Sequence, residues 1–169
     1  MNQNKKSILL VDDDETVLKA LGRYLDSKGY KVETAKTGRE AIQKSQKDFF
    51  NIAILDIKLP DMSGTEVLAT LDNSEPEMKK IMLTGYPDLV EGNVIITNRA
   101  DAYLMKPVEP SRLAQLIEQK LVEQAQELEE ERKKTVKAVQ NENKKQDINQ
   151  NRSDKTTQNT RPEYLDRYE

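Results

Sequence analysis

Short blocks of apolar residues, each closed by a polar or turn-forming group, alternate with stretches whose apolar positions recur at helical spacing. Ile8-Leu9-Leu10-Val11 is the first block, cut off by Asp12-Asp13-Asp14-Glu15. Val17, Leu18, Leu21 and Leu25 then mark a helix with acids at the positive end of its dipole and Gly29 as its stop. Tyr30 to Ala35 alternates apolar and polar, as a half-buried edge strand does, and Thr37-Gly38 opens a helix carrying Ala41 and Ile42. Ile52-Ala53-Ile54-Leu55 is an unbroken apolar run, suited to a strand buried on both faces, and it ends in Asp56. Lys58 to Gly64 reads as a loop by its Pro60 and Gly64, and Val67, Leu68 and Leu71 mark a helix broken at Asn73-Ser74-Glu75-Pro76. Ile81-Met82-Leu83 and Ala102-Tyr103-Leu104-Met105 are the last two strands, followed by Thr84-Gly85 and Lys106-Pro107. The alternation calls for a helix between Pro87 and Arg99, against which Gly92 and Val94-Ile95-Ile96-Thr97 weigh. Pro110 starts a final helix with Leu113, Leu116, Ile117 and Leu121.

Five strand–helix pairs in strict alternation predict an α/β fold with helices on both faces of a parallel sheet. The expected architecture is a doubly wound five-stranded sheet of order 2-1-3-4-5, flavodoxin-like, with an extended C-terminal helix. Its switch point lies between the strands that end in Asp12-Asp13 and in Asp56. The organised domain is expected over 1–121. Residues 122–140 read as a Glu/Lys/Gln-rich helical extension, and 141–169 as a disordered polar tail. Ile117, Leu121 and Leu128 fit one seam of the extension, which Gln124, Glu131 and Thr135 interrupt. The extension therefore admits two readings, a helix fraying into solvent or a coiled-coil segment that makes a homodimer or binds a partner. Tyr164-Leu165 in the tail is either a short docking peptide or a loose end.

Composition narrows the chemistry. The chain of 169 residues has no cysteine and no histidine, which excludes thiolate and imidazole ligands and histidine acid–base catalysis. Any metal must be held by oxygen, which favours Mg²⁺. A net charge of −3 argues for neither nucleic acid nor membrane, and the first apolar run is too short for a signal peptide or a membrane span. A cytoplasmic location is expected.

The topology aims Asp12, Asp13, Asp56, Thr84 and Lys106 at one edge of the sheet. Close carboxylates repel, and a hard divalent cation relieves that repulsion while leaving coordination positions for phosphate oxygens. A lysine and a hydroxyl beside them suit phosphoryl transfer onto a carboxylate, with an aspartate as nucleophile.

These residues, with Val11-Asp12-Asp13, Leu55-Asp56, Leu59 to Gly64, Leu83-Thr84-Gly85 and Tyr103 to Pro107 in their order, resemble the receiver domain of two-component response regulators. The resemblance runs from about Ser7 to Leu121. It implies Asp56 as phospho-acceptor and Mg²⁺ on Asp12, Asp13, Asp56 and the backbone carbonyl of Lys58. It further implies Thr84 and Tyr103 as switch residues, Lys106 as the lysine of the site, a cis Lys106-Pro107 bond, and an open approach over Gly85. Asp14 reads as a helix cap. Lys58 and Tyr86 offer no group to orient an attacking water, so self-dephosphorylation is expected to be slow. The implied protein is a stand-alone phosphorylation-controlled switch with no recognisable output domain, not an enzyme beyond its own phosphoryl chemistry. Its expected partners are a histidine kinase or phosphotransfer protein and an unidentified downstream protein.

Other classes fit less well. An aspartyl-phosphate phosphatase needs a second acid where Lys58 stands, and a nucleotide-cofactor domain needs a glycine-rich turn after the first strand. A DNA-binding regulator acting through the C-terminal helix would want a basic face, whereas the residues after Leu121 mix both signs.

Overall fold

The computed structural model describes residues 5–71, 77–85 and 100–157, with side chains as far as Glu142. The strands are β1 (Ser7–Val11), β2 (Lys31–Ala35), β3 (Ile52–Asp56), β4 (Lys79–Thr84) and β5 (Ala102–Met105). They form one parallel sheet in the order β2-β1-β3-β4-β5. The helices are α1 (Glu15–Ser27), α2 (Gly38–Lys47), α3 (Gly64–Leu71) and α4 (Pro110–Thr157). The expected fold class and strand order are therefore observed.

Side chains that alternate along each central strand feed two separate apolar layers. Ile8, Leu10, Ile52, Ile54, Ile81 and Leu83 pack against Leu18, Leu21 and Leu25 of α1 and Leu113 and Ile117 of α4. Leu9, Val11, Ala53, Leu55 and Met82 pack against Ala41 of α2 and Val67, Leu68 and Leu71 of α3. Burial on both faces is why the strand sequences read as unbroken apolar runs rather than as alternations. The edge strand β2 is half-buried, as its alternating sequence predicts.

Three features have local causes. Strand β4 starts two residues before Ile81, at Lys79 and Lys80, both buried. Asp101 makes this tolerable, because its carboxylate lies 3.2 Å from Lys79 Nζ and accepts from Lys80 N–H at 2.7 Å. Gln124, read as an interruption of an apolar seam, is only 3% exposed, and the compact sheet-bearing unit runs to Gln126. Helix α4 continues to Thr157, through a stretch of strongly polar composition. Low hydrophobicity argues against a core, but Glu, Lys, Gln and Arg are good helix formers, and a helix needs only local bonds. The segment 87–99, where a further helix was expected, and Tyr164-Leu165 lie outside the described residues.

Candidate functional site

Parallel packing brings the carboxyl ends of β1, β3, β4 and β5 to one lip. Asp12 follows β1, and its N–H donates to the Ala35 carbonyl at 3.1 Å, which fixes the turn. Asp14 caps α1 by accepting from Thr16 N–H at 2.7 Å, and its own N–H donates to Asp12 Oδ1 at 3.0 Å. That exchange holds the Asp12-Asp13-Asp14 turn with Asp12 buried and Asp13 exposed. Asp56, 8% exposed, is the last residue of β3.

Carboxylate oxygens of Asp12, Asp13 and Asp56 lie within 4.8 Å of one another. Lys106, just past β5, spans two of them, with Nζ 2.6 Å from Asp12 Oδ2 and 2.6 Å from Asp56 Oδ2. Its backbone is tied to the neighbouring strand, N–H to the Thr84 carbonyl at 2.7 Å, and the Lys106-Pro107 bond is cis. Burial raises the Asp12 pKa, and the Lys106 hydrogen bond only partly offsets this. Burial also works against the Lys106 charge, but hydrogen bonds to Asp12 and Asp56 outweigh it and leave the lysine pKa raised.

One ammonium facing three carboxylates leaves the pocket short of positive charge. An all-oxygen donor set at this spacing fits a hard divalent cation such as Mg²⁺, and Asp13 remains open to solvent.

The other expected site residues are placed as follows. Lys58 donates its N–H to Asp56 Oδ1 at 3.3 Å, and the loop closes on itself by a bridge between Lys58 and Ser63. Thr84 is fully buried at the end of β4, next to Leu83, the register partner of Asp56. Tyr103 pairs with Met82 in register and is half-buried against the α2–α3 layer, where burial raises its pKa. Among the described residues, a side-chain Cβ at Gly85 would meet nothing within 4 Å.

Two residues matter more than their sequence context suggests. Gly64 looks like loop punctuation, but a Cβ there would sit 2.0 Å from the Asp56 carbonyl oxygen. Only glycine allows the start of α3 to close over the backbone that carries Asp56, a contact sealed by Gly64 N–H to the Ile57 carbonyl at 2.8 Å. Asp61 accepts from the Gly38 and Arg39 N–H groups at 2.8 and 3.0 Å, so the loop after Asp56 caps α2. Those bonds lower its pKa, the Arg39 bond most. Nothing local signals this, because the capped helix starts 23 residues earlier.

This geometry meets an independent finding: the family model for the response regulator receiver domain matches residues 8–118. The chain belongs to that family. A receiver domain protein (CheY-like) from Methanospirillum hungatei JF-1 superposes with a TM-score of 0.69 at 48% identity, covering 73% of this chain and 99% of that one. The chemotaxis response regulator CheY4 of Vibrio cholerae superposes with a TM-score of 0.62 at 28% identity, over 69% of this chain and 99% of that one. Among curated proteins, the transcriptional regulatory protein GlrR of Escherichia coli K12 is 31% identical over 125 residues, 74% of this chain and 28% of that protein. The match thus spans little more than a quarter of GlrR's length. The chain is a receiver domain of two-component signalling, and among the described residues no helix is long and apolar enough to cross a membrane.

Proposed function

We propose that this receiver domain takes a phosphoryl group onto Asp56 from a histidine kinase or phosphotransfer protein and alters partner binding in response. The observation that carries the proposal is the meeting of Asp12, Asp13 and Asp56 oxygens within 4.8 Å, with Lys106 Nζ 2.6 Å from two of them. In the transfer an Asp56 oxygen forms the new bond to phosphorus as the bond between phosphorus and the donor atom breaks. Asp12, Asp13, Asp56 and the Lys58 carbonyl would hold Mg²⁺, whose chemistry is to neutralise carboxylate and phosphoryl charge. Lys106 is already paired with Asp56, so its ammonium can follow the charge onto the phosphoryl oxygens. Thr84 and Tyr103 read the change: the hydroxyl moves toward the phosphoryl group and the half-buried ring follows it inward, shifting the population between two states. Lys58 places an exposed cation where a water-orienting acid or amide would stand, so the aspartyl-phosphate should decay slowly.

The test is incubation with acetyl phosphate and Mg²⁺ followed by intact mass. Wild type should gain one phosphoryl group, and both Asp56→Asn and a magnesium-free control should not. An equal gain in Asp56→Asn would overturn the reading. The name of the GlrR relative favours a second reading, transcription regulation. A salt-dependent DNA gel shift of the full chain tests it.

A further inference from the structure

Helix α4 changes sign abruptly in the middle of its exposed stretch. Glu127, Glu129, Glu130 and Glu131 carry four negative charges, and Arg132, Lys133, Lys134 and Lys137 follow with four positive ones. All residues from Glu127 to Glu142 are exposed. On the same stretch Leu128, Val136 and Val139 are 40%, 48% and 50% exposed. At 3.6 residues per turn, Leu128, Arg132, Val136 and Val139 fall within an arc of about 80° on one side of the helix. The intrahelical ion pairs here are loose: Glu129 is 4.0 Å from Arg132 and 3.7 Å from Lys133.

We infer that this stripe is the docking surface for α4 of a second copy, lying antiparallel about a centre near Arg132. Direction follows from charge. Side by side and parallel, the two helices would set acidic block against acidic block and basic against basic. Antiparallel, Glu129 and Glu131, the acids that flank the stripe, lie along the partner's Arg132 and Lys133, and the stripe is self-complementary under a twofold axis. Leu128 of one helix then covers Val136 and Val139 of the other. The Arg132 stem packs across the axis while its guanidinium reaches the partner's glutamates. The seam is short, so the dimer is weak, dependent on concentration and weakened by salt. The inference does not rest on phosphoryl acceptance at Asp56, and its test uses no phosphoryl donor.

The chain has no cysteine, so single cysteines report helix direction cleanly. Sedimentation of the full chain should show a dimer forming with concentration at low salt and dissociating at high salt. Val136→Asp/Val139→Asp, which brings new acids against the partner's acidic block, should weaken it about tenfold. Under oxidation, Leu128→Cys mixed with Val139→Cys should give the crosslinked heteropair. Val139→Cys alone should not link, because antiparallel helices hold the two positions about 20 Å apart. Self-linking of Val139→Cys as efficient as the mixed pair would establish a parallel arrangement and overturn the inference. So would a monomer at every concentration, the outcome if the two charge blocks satisfy each other only within one helix. Exposed positions carry all the substitutions, and unchanged thermal unfolding verifies that each variant folds.

Discussion

The two ends of this sheet both bury polar groups, under opposite rules. At the amino end, Gln124 of α4 donates to the carbonyls of Glu77 and Asn51 at 2.7 and 3.2 Å and accepts from the Asn51 side chain at 3.2 Å. Asn51 in turn accepts the Ser7 N–H at 3.0 Å. These groups are neutral and donors meet acceptors. At the carboxyl end, one ammonium pairs with two of three clustered carboxylates. No buried side-chain polar atom among the described residues lacks a partner, so both ends are satisfied as hydrogen bonds. The carboxyl end carries a surplus of acids, whereas the charged groups buried at the amino end are the cations Lys79 and Lys80 beside Asp101. A closed neutral network can only hold two elements together, whereas a surplus of negative charge at the lip of the sheet attracts a cation.

The largest expected effect comes from forcing the carboxyl end apart. Gly64→Ala should destabilise by about 3 kcal/mol in urea unfolding, because its methyl meets rigid backbone at Asp56 rather than a movable side chain. Gly85→Ala, at the same end but with nothing within 4 Å of the added methyl among the described residues, should stay within about 0.5 kcal/mol of wild type. If the two variants behave alike, the close approach over Asp56 is not what shapes this end.

Next is the neutral network. Gln124→Ala should cost about 2 kcal/mol, since it removes a buried side chain and its three hydrogen bonds to Asn51 and Glu77, and magnesium should not restore the loss. Recovery with magnesium would erase the contrast between the two ends.

Lys106→Met should cost less in stability, about 1 kcal/mol, because the side chain is 25% exposed and solvent screens its pairs. Here magnesium should restore the loss. The pH dependence separates the two partners. The Lys106 pKa is raised in the fold, so its contribution is complete below the ordinary lysine value of 10.5 and disappears as pH rises through the folded value. The Asp12 pKa is raised too, so its contribution likewise falls as pH rises, but through the carboxylate range rather than the lysine range. An acid raised by burial costs stability once ionised, so the deficit of Lys106→Met should narrow as pH falls and Asp12 takes up its proton. A deficit that widens on acidification, in magnesium-free urea titrations, would contradict this assignment.

Sequence showed the carboxyl end far better than the amino end, for a physical reason. Asp12, Asp56 and Lys106 each stand directly after an apolar run, so strand order alone brings them together. Gln124 and Asn51 look like ordinary polar residues, and their pairing spans 73 positions, with no periodicity to announce it. Lys79 and Lys80 hid the first turn of β4 because their burial depends on Asp101, a residue of another element. Asp61 was legible as a turn residue and not as the cap of α2, since the helix it caps precedes it in the chain. In each case the missed fact is a long-range polar contact, and the facts read correctly are apolar runs and the groups that end them.

The central claim is that the unbalanced charge at the carboxyl end makes Asp56, among these acids, the nucleophile. The most direct measurement is borohydride reduction of the protein after exposure to acetyl phosphate and Mg²⁺, followed by peptide mass mapping. Reduction converts an aspartyl-phosphate to homoserine, and the account predicts homoserine at position 56 alone. Homoserine at Asp12, Asp13 or Asp61, or unmodified aspartates throughout, would contradict it.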